Sequence, residues 1–128
     1  MDDPTFHVRA GEPGRAAAHD REYRALGEAV LAATRHLAAN PGHVALLAER
    51  SGGAERRTHQ IRRHPTVLID PEPWAALVHL EWEGATVEVS PREGGGARVR
   101  ISEGDREVVG EAPGGTAAAE EALRRWKG

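Results

Sequence analysis

Cysteine is absent from the 128 residues. That excludes disulfides, thiol nucleophiles and cysteine-ligated metal, and it agrees with a reducing compartment. Lysine is nearly absent as well: Lys127 stands alone, and arginine supplies the rest of the 17 basic side chains. The arginines are spread through every segment, which points to a coding bias more than to selection for bidentate contacts. Aromatic residues are only 4% of the chain, and alanine makes up much of the 39% hydrophobic fraction. A core with so little large apolar area is thin, and a homodimer is one expectation for covering it. No apolar run approaches the length that spans a bilayer, so no membrane association is expected. Met1-Asp2-Asp3-Pro4 is acidic and lacks the apolar run of a signal peptide, so the expected location is cytoplasmic.

What is present changes in character along the chain. Residues 1–14 read as a flexible leader, with Phe6 and Val8 alternating with His7 and Arg9 like a short edge strand before Gly11, Pro13 and Gly14. Residues 15–128 read as a single α+β domain. It opens on a long N-terminal helix over 15–39, where Tyr23, Leu26, Val30, Ala33 and Leu37 form an apolar stripe. Asp20, Arg24 and Glu28 recur four apart on its other side, and Asn40-Pro41-Gly42 ends it. An antiparallel β-meander follows. Thr66–Ile69 is a short buried-strand candidate, and Asp70-Pro71-Glu72-Pro73 is a loop or a helix start. Val78, Leu80 and Trp82 then alternate with polar residues, as do Val87 with Val89 and Val99 with Ile101. Gly104-Asp105 suits a two-residue turn, which would pair Ile101 with Val108 and Ser102 with Glu107. A short C-terminal helix capped by Thr116 packs Ala119, Ala122, Leu123 and Trp126 on the sheet. This helix–strands–helix order is shared with the double-stranded RNA-binding fold and with secretion-chaperone-like folds, but the motifs of neither are present.

The chemistry is sparse. No Gly-x-Ser-x-Gly elbow, phosphate-binding glycine loop or His-Glu-x-x-His occurs, so no catalytic residues are assigned. Glu81, Glu83 and Glu88 could be read as paired acids, but Arg98 and Arg100 on the next strand make cross-strand ion pairs the simpler account. His59 and His64 are five apart, a spacing that favours no shared ligand on helix or strand, and no metal or cofactor is expected. His36 and His43 flank the Pro-Gly break and can converge there, although surface histidines are the simpler account.

One stretch stands apart. Residues 55–64 hold four arginines and two histidines around a single aliphatic residue, Ile61, in a chain of net charge −3. Arg56, Arg57, His59, Arg62, Arg63 and His64 are the candidate partner-binding residues, for an anion or an acidic surface. Residues 44–63, VALLAERSGGAERRTHQIRR, resemble a helix-turn-helix unit, with Leu47 and Ala48 packing the first helix, Gly52 in the turn and Ile61 anchoring the second. The resemblance implies DNA binding, with Arg56, Arg57, Thr58, Gln60, Arg62 and Arg63 on or near the recognition helix. Ser51, Gly53 and Thr58 depart from the apolar positions of that family. In the competing pattern 44–50 and 56–62 are arms of a β-hairpin. Arg57, His59, Ile61 and Arg63 then share one face and Arg56, Thr58, Gln60 and Arg62 the other, as on a sheet edge. The function expected is a small non-catalytic binding or regulatory module acting through 55–64 on a protein or other anionic partner. A DNA-binding regulator stands second.

Overall fold

The computed structural model describes residues 3–128. The chain divides into two compact units, one ending at Arg63 and the other running from His64 to Gly128. The architecture is α+β with two antiparallel sheets and three helices.

In the first unit β1 (Thr5–Gly11) and β2 (His19–Tyr23) are followed by α1 (Leu26–Ala39), β3 (Val44–Ser51) and β4 (Ala54–Ile61). The sheet order is β2-β1-β3-β4. Alternation decides the buried face: Val8 lies opposite Leu47 and Ala10 opposite Ala45, and all four side chains are buried. Helix α1 packs across β1, β3 and β2 and buries Ala29, Val30, Ala33 and Leu37. Its end is closed by Asn40, whose Nδ2 donates to the His36 carbonyl at 2.8 Å. Gly52 and Gly53, with φ of 60° and 81°, make the turn between β3 and β4. Two successive residues with positive φ match the right-handed twist of a two-residue hairpin, which side chains with a Cβ resist.

The expected long N-terminal helix is not there. The first helix is short, starts at Leu26 and follows two strands. Residues 19–23, placed in that helix by their spacing, instead pair with β1, Tyr23 opposite Phe6 and Asp20 opposite Arg9. The local row of Asp20, Arg24 and Glu28 yields to contacts made across the sheet: Asp20 accepts a hydrogen bond from the buried His7, and Thr5 donates to Glu22. Pairing with a distant strand outweighs weak helical propensity. Thr5–Gly11, inside the stretch read as a leader, is an inner strand of this sheet. Met1 and Asp2 of that stretch lie outside the described residues.

In the second unit α2 (Pro71–Trp82) precedes β5 (Thr86–Pro91), β6 (Ala97–Glu103) and β7 (Arg106–Ala112), and α3 (Gly115–Lys127) closes it. The meander is observed from β5 onward, with Ile101 opposite Val108 and Ser102 opposite Glu107. Residues 66–69 are irregular, and 78–82, expected as a strand, belong to α2. Pro71 and Pro73 preset the first helical turn. The apolar residues of 74–82 satisfy helical as well as alternating spacing, so periodicity alone did not separate the two. Thr116 does not cap α3 through its side chain; its Oγ1 accepts from the Asp70 backbone N–H at 2.9 Å. The outer face of the sheet carries ion pairs of Arg100 with Glu88 and Glu107, and of Arg98 with Glu111. Exposed pairs of this kind contribute little to stability.

The core of this unit is built by close backbone approach. Leu77, Val99 and Ile101 pack with Ala118, Ala119 and Ala122 of α3. Gly110 in β7 lets the helix come so near that an added Cβ would sit 2.3 Å from the Ala118 carbonyl oxygen and 2.5 Å from the Ala122 nitrogen. Both contacts are backbone, so no side chain can swing away. Gly110→Ala is therefore expected to lower the urea unfolding midpoint, a loss of roughly 1–3 kcal/mol from overpacking. An unchanged midpoint would show that α3 can retreat freely.

Candidate functional site

Strand β4 is one of the two edge strands of its sheet and, among the described residues, pairs only with β3. The hairpin is the conformation observed for residues 44–61, so the recognition helix implied by the helix-turn-helix resemblance does not form. The two adjacent glycines take the reversal a hairpin needs. Ala45, Leu47 and Ile61 then lie on one face of the sheet and are buried there.

The six candidate residues fall into three settings. Arg56 and Arg57 are both exposed on β4. Arg57 lies opposite Glu49, and Arg56 is the extra residue of a β-bulge where the register shifts between Glu49 and Arg50. Two arginines are thereby displayed side by side on an edge that is kinked at this point. His59 lies opposite Leu47 and is half-buried; burial, and then the charge of Arg57, push its imidazole below the usual range. Both effects disfavour its charged form. Arg62 and Arg63 follow the end of β4, Arg62 exposed and Arg63 less so. His64 opens the second unit, where its Nδ1 accepts from the backbone N–H of Val67 at 2.9 Å and of Thr66 at 3.2 Å. That imidazole shapes its own turn. The structure thus gathers Arg56, Arg57 and His59 on β4, sets Arg62 and Arg63 just past it, and gives His64 a local task.

A second constellation was only hinted at by spacing. His36, in the last turn of α1, and His43, before β3, converge as the Pro-Gly break allows: His36 Nε2 and His43 Nδ1 are 2.9 Å apart. His19 lies beside them, its ring centroid 5.6 Å from that of His36, and its Nε2 is 2.9 Å from the Tyr23 hydroxyl. Nothing local in the sequence announces His19 as a member, because only the pairing of β2 with β1 carries it to α1. Among the described residues no group of three or more His, Asp or Glu is arranged to hold a metal ion. A cleft of about 380 Å³ also opens beside the β1–β2 loop, lined by Arg9, Arg15, Asp20, Leu46 and Gln60. Its charges are internally matched, Arg15 with Glu12 at 3.1 Å and Arg9 with Asp20 at 3.7 Å. The Asp20 carboxyl is held below its usual range first by the hydrogen bond from His7.

Among the described residues no helix is long and apolar enough to cross a membrane. No protein-family model, curated protein or solved structure matches the chain.

Burial, then the neighbouring imidazoles of His43 and His19, lower the pKa of His36. A depressed histidine pKa stabilises the fold above its unfolded value of about 6.5, and that contribution is lost as pH falls through the folded value. Imidazole NMR should find His36 titrating below about 6.5. His43→Gln should raise its pKa part of the way back, since burial persists. Titration at the ordinary value in the unaltered protein would contradict the packing described.

Proposed function

We propose that the protein is a non-catalytic binding module whose first unit offers a basic sheet edge to an acidic protein partner. The observation that carries this is the exposure of Arg56 and Arg57 on the terminal strand β4, with Arg62 and Arg63 directly after it. The chain as a whole has net charge −3, so this concentration of positive charge is local. A local basic strip raises the encounter rate with acidic surfaces and orients them.

Nucleic acid is the weaker reading. Residues 44–61 contain no helix to enter a major groove. A two-stranded ribbon can do so, but β3 is bonded to β1 on its other side and the hairpin is part of a wider sheet.

Binding to immobilised poly-L-glutamate and to duplex DNA tests this. The unaltered protein is expected to bind polyglutamate at low salt and to be released as salt rises. Arg56→Ala, Arg57→Ala, Arg62→Ala and Arg63→Ala combined should weaken that binding by at least about tenfold. Undiminished binding by the combined variant, or tighter retention on DNA than on polyglutamate, would count against the proposal.

A further inference from the structure

We infer that the outer face of the first unit's sheet holds a binding site for a small zwitterion, an α-amino acid with an aliphatic side chain. This site is separate from the arginines of 55–64 and does not rest on the function proposed above. Strand register builds it. Asp20 lies opposite Arg9, Arg9 opposite Leu46, and Leu46 opposite Gln60, so one residue from each of the four strands stands in a row. Residues directly opposite share a face of a sheet, and their neighbours along the strand take the other. Val8 and Leu47 are wholly buried, so the row stands on the face away from them, where Arg9, Leu46 and Gln60 are exposed. The β1–β2 loop adds Glu12 and Arg15, and together these residues line the cleft of about 380 Å³. Ligand pockets run from roughly 300 to 1,000 Å³, so the volume suits a small molecule.

The row is chemically graded: a carboxylate, a guanidinium, an aliphatic side chain and an uncharged amide follow one another across the sheet. The charged lining residues are two arginines, Arg9 and Arg15, and two carboxylates, Glu12 and Asp20, which cancel. A ligand of one charge sign is attracted by one pair and opposed by the other. A molecule that is neutral overall but carries both charges close together is attracted by both. Adjacent strands lie about 4.8 Å apart. The ammonium and carboxylate of an α-amino acid, borne on one carbon, can therefore meet Asp20 and Arg9 together. Its side chain then lies along Leu46, the next in the row.

The contacts already made leave room for this exchange. Asp20 Oδ1 accepts from His7, while Oδ2 is 3.7 Å from Arg9 Nε, too long for a hydrogen bond. Oδ2 can accept from an ammonium, and the Arg9 side chain, more than half exposed, can turn its fork to a carboxylate. Arg15 and Glu12 are closer, at 3.1 Å, and balance each other. Leu46 is 41% exposed, and an aliphatic side chain laid on it removes apolar surface of both from water.

The probe is L-leucine, added to the full chain and followed by amide NMR. The expected result is saturable binding at millimolar concentration, with shifts concentrated at Arg9, Asp20, Leu46 and Gln60. N-acetyl-L-leucine lacks the ammonium, L-leucinamide lacks the carboxylate, and glycine keeps both without the side chain. Each should bind at least about tenfold more weakly, having lost a charge-assisted contact or the aliphatic cover. Leu46→Ser and Arg9→Gln alter exposed side chains, and each should weaken L-leucine by at least about fivefold while the amide pattern of the free protein persists away from the substitution. Equal binding of N-acetyl-L-leucine or L-leucinamide overturns the zwitterion as the ligand class. Equal binding of glycine, or unchanged affinity in Leu46→Ser, overturns the aliphatic contact. Unchanged affinity in Arg9→Gln, or no saturable shift with L-leucine, overturns the site.

Discussion

The pairing of β1 with β3 is the constraint on which the first unit depends. Val8 and Leu47 face each other across it, and both are fully buried. Because β1 is an inner strand, it holds β2 on one side and β3 on the other, under a helix that covers all three. A shift of one residue in this register would turn Leu47 to the other face and expose what α1 now covers. The position of β4 is a consequence: with β1 and β2 occupying one side of β3, the arginine-rich strand can only take the other side, at the edge.

That position gives meaning to a charge cluster that has none in isolation. On a helix, Arg56, Arg57, Arg62 and Arg63 would be a reading head for DNA. On an edge strand and just past its end, they place positive charge along that edge, and like charges disfavour pairing with another copy of it. Their second effect is attraction of carboxylates. Exposed ion pairs contribute little to stability, so the proposed role of the cluster is in binding and not in holding the unit together. The bulge at Arg56 interrupts the regular register of β4 against β3.

Legibility in the sequence followed the range of the interactions. The β6–β7 hairpin was readable down to the opposition of Ile101 and Val108, because alternation and a two-residue turn are local. The β3–β4 hairpin was readable as one of two alternatives, since Gly52-Gly53 serves either reversal and only the partner strand β1 decides between them. Residues 19–23 were misplaced in a helix because their stripe continues through Tyr23 into α1, while the pairing that removes them lies with residues 6–10. Helix α2 was misread because Val78, Leu80 and Trp82 also alternate. At the candidate site, the arginines were visible as charge, but the lowered pKa of His59 depends first on burial and the local role of His64 on a turn. Neither follows from spacing.

The central claim is that β4 is an edge strand that, among the described residues, pairs with β3 alone, and backbone hydrogen exchange of the unbound protein tests it most directly. The account predicts alternation along residues 57–61, slow exchange where the N–H bonds β3 and fast exchange where it faces outward, beside uniformly slower exchange in β1 and β3. Uniform protection along β4 would contradict it, because the edge would then already be occupied.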